Sequence, residues 1–505
     1  WDQRNRKPLV VRGARQVGKS SLVRLFARDF ARHAELNLDK CSHADLFRRG
    51  LSLAELIQAG VDVFRINTAH GNLDEHQQRL EAIRGVSSEL GQPVAVLADL
   101  AGPKMRLGEL AQGQLECVLD AELTFIRGRE PTRPTELTTT YDPLVDELCA
   151  GDRVMLADGL VSLVVEQTGP DYARCRVVQP GLIRSRQGVN LPGVHLKTAA
   201  LQEADRRNAL WAAQNGVDFV GLSFVRKPDE VFELKSLLQS HGSGAQVVAK
   251  IEKPEALQRL EEIVEAADAV MVARGDLGVE TDIASLAMAQ KRIIDLCSRR
   301  HKPVIIATQM LDSMQHSRLP TRAEVTDVAN AILDGADACM LSGETAIGQY
   351  PVDSVKMMHR IALATEPSYR QRPPLPAPDR QAEGINPITE ATSYYAGRLA
   401  ERLDAKMVVV ASASGATALS LSKYRNFVPT VGISESEATL RRMCLYWGVF
   451  PLAGAPTGSP EEILRHVAER GRAAGSVDSG DRIVLIAGTG LSVSRHNMIV
   501  VHQVF

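Results

Sequence analysis

Short apolar runs alternate with longer amphipathic segments over residues 51–107 and again over residues 194–369. The segments between the runs, such as PEALQRLEEIVEAA, repeat apolar residues at helical spacing. Regular alternation of strand and helix favours a parallel sheet covered by helices, and so an α/β fold. The runs are VDVFRIN (61–67), VAVLADL (94–100), FVGLSFV (219–225), VVAKIE (247–252), AVMVARGD (269–276), PVIIATQ (303–309) and ACMLSGE (338–344).

Nearly every run ends in a polar or glycine-containing cluster, such as RIN, KIEKP or SGE. Because a (β/α)₈ TIM barrel keeps its active site at the C-terminal ends of its strands, this pattern predicts that fold. Seven runs are visible, whereas a closed barrel of this kind needs eight. AELNL (34–38) is best placed to supply the missing strand, with LVV (9–11) as second choice. If neither docks, we expect an open barrel of low stability.

Other parts of the chain lack this regular alternation of strands and helices, which predicts further domains. Residues 108–193 are rich in β-forming residues and turn signals, which predicts an inserted, small all-β domain. A proline-rich stretch at 366–384 marks a second boundary, after which strand–helix alternation resumes. The predicted parts are an N-terminal P-loop-like segment (1–48), a catalytic barrel (49–107 and 194–369), a β-barrel lid domain (108–193) and a C-terminal open α/β domain (370–505).

Composition and charge exclude several classes of protein. Hydrophobic residues make up 44% and charged residues 24% of the chain, as in an average globular protein. The formal net charge of −2 gives no overall field to attract nucleic acid or an anionic membrane. Seven scattered cysteines without a C-x-x-C pair predict neither a disulfide framework nor a zinc site. No membrane-length apolar stretch or signal peptide is apparent, so we expect a cytoplasmic protein without nucleic-acid or membrane partners.

The stretch GARQVGKSS (13–21) fits the phosphate-binding pattern G-x-x-x-x-G-K-[ST]. A working P-loop domain also needs a second strand that ends in an aspartate for Mg²⁺. The first 48 residues contain no such strand, which indicates a remnant of a P-loop fold more than a nucleotide site. The matching residues are Gly13, Gly18, Lys19 and Ser20.

Charged residues at the ends of two successive runs predict a metal-assisted site. Lys250 and Glu252 are two residues apart, so on a strand they point to the same face. The next run ends with Gly275 and Asp276. Two carboxylates from neighbouring strands, with water and substrate oxygens, suit Mg²⁺, and the site suits phosphoryl transfer or enolate stabilisation. Further polar residues at run ends are Thr308, Ser342 and Glu344.

Long motifs then follow one another in a recognisable order: FRINTAHGN, LADLAGPKMRLGE, GVNLPGV, SFVRK, AKIEKPEAL, VMVARGDLGVE, PVIIATQMLDSM and PTRAEVTDVANAILDGADACMLSGETAIGQYP. This set resembles pyruvate kinase over residues 51–505. The resemblance implies phosphoryl transfer from phosphoenolpyruvate to ADP, giving pyruvate and ATP in glycolysis. Residues 1–48 instead resemble the start of a bacterial AAA-type P-loop ATPase, which predicts a junction near residue 49, as in a gene fusion.

The resemblance also implies roles for individual residues. Lys250 would neutralise the transferring phosphoryl group, while Glu252 and Asp276 would hold Mg²⁺, for which Mn²⁺ can substitute. Phosphoenolpyruvate would be bound by Arg65, Lys250, Gly275, Asp276 and Thr308. A proton relay that converts enolpyruvate into pyruvate would include Thr308, Ser342 and Glu344. The nucleotide would be bound by Arg106, Asn67, His70 and, in the lid, Asp158.

The chain departs from the family pattern where pyruvate kinases commonly bind K⁺. Asn67 and Asp99 are present, but Ala69 and Leu100 replace the two hydroxyl ligands. Lys104 stands where K⁺-dependent members carry glutamate, so its fixed positive charge would take over the role of K⁺. We therefore predict that the activity does not require K⁺.

Two further features bear on ligands and assembly. Gln187 replaces a family lysine that contacts ATP, which puts the nucleotide affinity in question. SASGAT (412–417) resembles a loop that binds a sugar-phosphate effector, so a sugar phosphate or nucleotide is expected there. The family also suggests a homotetramer. The candidate effector residues are Ser412, Ser414, Gly415 and Thr417.

Three alternatives stay open at this point. A Mg²⁺-dependent lyase or aldolase on a related phosphoenolpyruvate-type barrel would explain KIEKPEAL, but not the β insertion or the C-terminal domain. A P-loop ATPase would rest on residues 13–20 alone. A catalytically impaired pyruvate kinase-like chimera would explain the replaced first strand, although Lys250, Glu252, Asp276 and Thr308 are all retained.

Overall fold

The computed structural model describes residues 34–37, 53–103, 105–110, 112–128, 131–157, 159–194, 198–371, 386–488 and 496–505. The P-loop-like stretch at 13–21 and the second-choice strand at 9–11 lie outside these residues. The same holds for two predicted site residues, Lys104 and Asp158.

Strands occur throughout the described residues. In chain order they are β1 (Ala34–Asn37), β2 (Val61–Asn67), β3 (Ala95–Asp99), β4 (Gln114–Cys117), β5 (Glu122–Ile126), β6 (Glu136–Leu137), β7 (Arg153–Leu156), β8 (Val161–Thr168), β9 (Tyr172–Gln179), β10 (Gly181–Arg184), β11 (Val189–Asn190), β12 (Phe219–Leu222), β13 (Gln246–Ile251), β14 (Ala269–Ala273), β15 (Val304–Ala307), β16 (Ala338–Met340), β17 (Met407–Ala411), β18 (Thr430–Ile433), β19 (Val449–Leu452), β20 (Arg482–Ala487) and β21 (Met498–Gln503).

The helices lie mainly between the barrel strands and in the C-terminal part. In chain order they are α1 (Leu53–Ala59), α2 (Leu73–Glu89), α3 (Leu144–Glu147), α4 (Glu203–Gln214), α5 (Pro228–Ser240), α6 (Pro254–Gln258), α7 (Leu260–Ala266), α8 (Arg274–Glu280), α9 (Leu286–Arg299), α10 (Arg322–Asp334), α11 (Gly343–Ala346), α12 (Pro351–Arg370), α13 (Pro387–Arg402), α14 (Ala416–Lys423), α15 (Glu437–Met443) and α16 (Pro460–Ala473). Two short 3₁₀ helices, Ile283–Ser285 and Asp312–Gln315, also lie among the described residues. None of these helices is long and apolar enough to cross a membrane.

Eight parallel strands form a closed barrel in the order β1-β16-β15-β14-β13-β12-β3-β2, which confirms the predicted barrel fold. Each of the seven apolar runs supplies one strand. The eighth is β1, which lies within AELNL (34–38), so the first-choice segment closes the barrel. Its backbone pairs Ala34 with Cys339 on one side and Asn37 with Arg65 on the other.

Alternation along each strand separates the barrel interior from the layer under the helices. Val248 belongs to the interior apolar cluster, whereas Val247, Ala249 and Ile251 pack in the cluster beneath the helices. Lys250 therefore continues the inward row that Val248 begins. The same alternation places Arg65 on the inward row of Val63, and Asp99 on that of Leu97.

The inserted residues form a mostly-β unit between β3 and α4. Its main sheet has the order β11-β7-β8-β9-β5-β6, and β10 pairs with β4 in a second, two-stranded sheet. Apolar residues of these strands, among them Phe125 and Val154, form a core separate from those of the barrel. The exact domain boundaries given by the sequence stay predictions.

The C-terminal residues form a five-stranded sheet in the order β19-β18-β17-β20-β21, in which only the β20–β21 pair is antiparallel. This unit contacts the barrel at the N-terminal ends of the barrel strands. Lys423 and Arg425 both pair with Asp337, immediately before β16, and Arg441 pairs with Asp218, immediately before β12.

Candidate active site

Lys250 lies at the centre of the barrel mouth and is buried. Its ammonium donates to the Ser223 hydroxyl at 2.7 Å and pairs with Glu252 Oε1 at 2.9 Å and Asp99 Oδ2 at 3.2 Å. Burial alone would lower the pKa of Lys250, but the Asp99 and Glu252 carboxylates outweigh it and raise that pKa above its ordinary value. The side chain is therefore a permanent cation at the mouth.

Asp99 joins Lys250 to Arg65. The guanidinium of Arg65 reaches Asp99 Oδ2 through Nε at 2.7 Å and through its NH2 group at 2.6 Å. Burial would raise the pKa of Asp99, but the Lys250 and Arg65 charges hold it below its ordinary value. One carboxylate oxygen is thus shared by two cations, which holds the Arg65 guanidinium and the Lys250 ammonium close together at the barrel mouth.

Glu252 and Asp276 are the two carboxylates predicted to hold Mg²⁺. Glu252 is buried, and its Oε2 accepts the Phe224 backbone N–H at 2.8 Å. Burial raises the pKa of Glu252, the Lys250 charge opposes this rise, and the charge of Asp276 adds to it. A carboxylate offers about four acceptor positions, so Glu252 keeps capacity for a cation. Because Mg²⁺ binds through one or two carboxylates with water and substrate oxygens, this pair fits it.

Gly275 and Thr308 meet beside these carboxylates. The backbone N–H of Gly275 donates to Thr308 Oγ1 at 2.7 Å, and that hydroxyl donates to Ala307 O at 2.6 Å. A Cβ at residue 275 would lie 3.4 Å from Thr308 Oγ1, an ordinary contact distance, so the space beside Thr308 does not by itself require a glycine. Thr308 has φ 69°, an unusual conformation for a β-branched residue, and such strained backbone is concentrated at functional sites.

Ser342 and Glu344 lie after β16, at the same end of the barrel. Glu344 is buried, and its two oxygens accept the backbone N–H groups of Leu311 at 3.0 Å and Ser342 at 2.7 Å. Burial raises the pKa of Glu344. In this arrangement Glu344 holds together the chain that follows β15 and the chain that follows β16.

Of the predicted nucleotide residues that the structure describes, Asn67 and His70 follow or end β2, and Arg106 contacts the inserted unit. Asn67 Oδ1 accepts the Ala69 N–H at 3.0 Å, and His70 is exposed. Arg106 donates to Arg186 O at 3.2 Å and thereby contacts the loop that carries Gln187. The Gln187 side chain accepts the Arg184 N–H at 2.6 Å, so it stabilises its own turn.

The candidate effector loop is a compact turn at the start of α14. Ser412 and Thr417 are buried, and their hydroxyls accept the Gly415 N–H at 3.0 Å and contact His496 Nδ1 at 2.8 Å, respectively. Ser414 is exposed. Gly415 has φ 85°, a left-handed conformation that favours glycine, so it allows the sharp entry into the helix.

Two residues that were not assigned a role in the sequence also shape the site. Ser223 and Phe224 follow β12 and contact Lys250 and Glu252, respectively. The only signal was the motif SFVRK, which carries no charge at these two positions. Their contacts depend on the register of neighbouring strands, which the motif does not reveal.

A buried ammonium between two carboxylates, at the C-terminal mouth of a parallel barrel, is suited to neutralising phosphate and enolate oxygens. Fold and site together define an enzyme class, the phosphotransferases and enolate-handling enzymes built on a TIM barrel.

Comparison with known proteins identifies the family within that class. Residues 47–355 match the model of the pyruvate kinase barrel domain, and residues 390–502 match that of the pyruvate kinase alpha/beta domain. The chain is 40% identical over 445 residues to the pyruvate kinase of Sporosarcina psychrophila, with 86% of this chain and 75% of the relative covered. It is 39% identical over 465 residues to the pyruvate kinase of Mycobacterium tuberculosis, with 92% and 97% covered. The chain belongs to the pyruvate kinase family.

Proposed function

We propose that this chain transfers the phosphoryl group of phosphoenolpyruvate to ADP in glycolysis, in the cytoplasm. The observation that carries the proposal is the Lys250 ammonium, held at 2.9 Å from Glu252 and next to Asp99 at the barrel mouth. In the reaction the bond between phosphorus and the enol oxygen breaks and a bond to the terminal phosphate oxygen of ADP forms. A proton then adds to the methylene carbon of the enolate and gives pyruvate.

The residues at the mouth have separate tasks in this reaction. Lys250 and Arg65 bind phosphate oxygens and neutralise charge as it moves. Glu252 and Asp276 hold Mg²⁺, or Mn²⁺ in its place, which supplies Lewis-acid stabilisation when bound. Gly275, Asp276 and Thr308 orient the substrate. Thr308, Ser342 and Glu344 belong to the relay that delivers the proton to the enolate. ADP binds towards Arg106, Asn67, His70 and Asp158, under the inserted unit, which excludes water as it closes.

The test is pyruvate formation from phosphoenolpyruvate and ADP, compared between the parent chain and Lys250→Met. We expect turnover to fall by about 10³-fold or more, because the variant loses the charge that stabilises the transferring group. Lys235→Met is the matched control, since Lys235 pairs with Asp268 in the outer layer of the barrel. A parent chain no faster than Lys250→Met would favour the catalytically impaired chimera.

We also infer that this activity does not require K⁺. The side chains at the expected cation site support this inference: Ala69 and Leu100 carry no oxygen, and Leu100 is buried. Asp99 is already neutralised by Arg65 and Lys250. The residues present therefore do not fit a potassium ion, and the ammonium of Lys104 supplies a fixed positive charge in its place.

Regulation and assembly are the remaining parts of the proposal. We propose that a sugar phosphate or nucleotide binds at Ser412, Ser414, Gly415 and Thr417, supported by the exposed Ser414 at the start of α14. We propose a homotetramer, supported by the exposed apolar side chains of Ile283 and Met288, and by β21, which ends its sheet. Sedimentation velocity tests the assembly, and activation by added sugar phosphates tests the effector site.

A further inference from the structure

Ser223 links the C-terminal ends of three neighbouring barrel strands, β3, β12 and β13. It follows β12 and is buried. Its hydroxyl donates to Leu100 O, beyond β3, at 2.7 Å, and accepts from Lys250 Nζ, on β13, at 2.7 Å. Because the hydroxyl proton is used by Leu100, an oxygen lone pair is left to face Lys250. The hydroxyl is thus an oriented acceptor for the ammonium.

We propose that Ser223 is a positioning residue for catalysis, whose hydroxyl fixes the Lys250 ammonium where the transferring phosphoryl group must be met. This inference rests on the proposed function, since it concerns the same reaction. Lys250 has three N–H donors, and Ser223 is the neutral one among its three acceptors. It can therefore hold the ammonium without neutralising its charge.

Phe224, the residue after Ser223, holds the predicted Mg²⁺ ligand Glu252 in place. The Phe224 N–H donates to Glu252 Oε2 at 2.8 Å. Phe224 has φ 55°, which is strained for a bulky side chain. A Cβ at residue 102 would lie only 2.9 Å from the Phe224 ring and 3.0 Å from Ser223 Cβ, so Gly102 lets the turn pack closely. Ser223 and Phe224, which follow β12, thus hold Lys250 on β13 and Glu252 just after it.

The effect of losing the hydroxyl follows from the two carboxylates that flank Lys250. Asp99 and Glu252 both attract the ammonium, and Glu252 is also a predicted Mg²⁺ ligand. Without the third acceptor, the ammonium settles closer to these carboxylates and farther from the incoming phosphoryl oxygen. Because a displacement of about 1 Å can cost 100-fold in rate, the loss should appear in the chemical step.

The experiment compares Ser223→Ala and Ser223→Thr with the parent chain in steady-state assays. We expect Ser223→Ala to lower kcat about 10- to 100-fold, the range given by one hydrogen bond to a charged group. The KM for ADP should not change, because the hydrogen bonds of the Ser223 hydroxyl go to Leu100 and Lys250, neither of which is a predicted nucleotide residue. Ser223→Thr keeps the hydroxyl and should recover most of the lost kcat. Melting temperatures of all variants report on folding.

Ser354→Ala is the matched control. Ser354 is equally buried, and its hydroxyl donates to Tyr350 O at 2.8 Å within α12, away from the barrel mouth. This variant should keep the parent kcat. The inference is overturned if Ser223→Ala keeps kcat within twofold of the parent. It is also overturned if Ser223→Thr, with the melting temperature of the parent, loses as much activity as Ser223→Ala.

Failure of the proposed function gives a different result. In that case the parent chain forms no pyruvate, and crystal structures of the parent and Ser223→Ala decide the inference alone. A shift of Lys250 Nζ towards Asp99 or Glu252 in the variant supports the positioning role. An unmoved Nζ overturns it.

Discussion

Lys250 shows how much of the site follows from spacing at the scale of single residues. Its two-residue separation from Glu252 predicts a common face, and the structure places the two side chains 2.9 Å apart. Ser223 could not be predicted in this way, because its contacts join three strands whose register is not encoded locally. An uncharged hydroxyl in an apolar run gives no chemical signal of its own.

The absence of a K⁺ requirement is a prediction at the same scale. In K⁺-free buffer we expect the parent chain to turn over at close to its rate with added K⁺. Lys104→Glu removes the fixed cation, so this variant should be slow without K⁺, and Lys104→Arg should behave like the parent because it keeps the charge. The measurement is initial rate against K⁺ concentration for all three proteins. Strong activation of the parent by K⁺ would refute the prediction.

At the scale of elements, the barrel strands differ in how strongly the sequence specifies them. The seven apolar runs are recognisable by composition and by their polar ends. β1 is not apolar, and it was predicted only because its position in the chain suited the missing strand. The family model begins at residue 47 and does not include it. The backbone of β1 pairs with β2 on one side and β16 on the other. This pairing determines its position, whereas its composition does not mark it as a strand.

A proline in β1 tests whether this strand closes the barrel. Leu36 pairs with Phe64 of β2. Leu36→Pro removes a backbone donor from a strand in the interior of the sheet, and we expect it to destabilise the protein by about 1–3 kcal/mol. Glu203→Pro is the control, because Glu203 is the first residue of α4, a position that tolerates proline, and Gln202 before it is extended. Urea unfolding is the measurement, and equal stability of the two variants would mean that β1 does not contribute.

Three aspartates make the same kind of contact at the N-terminal ends of the barrel strands. Asp218, Asp268 and Asp337 each precede a barrel strand and accept a backbone N–H from the strand beside it, at 2.8, 2.8 and 2.7 Å. At the scale of the whole molecule, Asp218 and Asp337 also bind cations of the C-terminal unit, whereas Asp268 pairs with Lys235 of the barrel. These contacts join residues up to 223 positions apart, so the sequence pattern could not predict them.

Asp337→Asn tests the contribution of the contact between the barrel and the C-terminal unit. Asp337 and Lys423 are fully buried, 2.5 Å apart, and Arg425 approaches within 3.1 Å. Burial lowers the pKa of Lys423, and Asp337 opposes that effect. The variant leaves two buried cations without their counter-ion, so we expect a loss of about 3–5 kcal/mol in stability.

Asp268→Asn is the control for this prediction, since its partner Lys235 is partly exposed and its loss should cost about 1 kcal/mol or less from the ion pair. Chemical unfolding of both variants is the measurement. Equal destabilisation would show that the two ion pairs contribute alike. Lys423→Met in the Asp337→Asn background should recover part of the loss, because it removes one of the uncompensated charges.

The closure of the barrel by β1 has a consequence for how the catalytic unit can be assembled. Between β16 and β2 the other seven strands leave an opening one strand wide, lined on both sides by backbone donors and acceptors. Such an opening selects for extended backbone more than for particular side chains. A chain that begins after residue 50 would then be a receptor for a separate extended peptide, and the enzyme would become a two-piece reporter in which pyruvate formation signals that the peptide has bound.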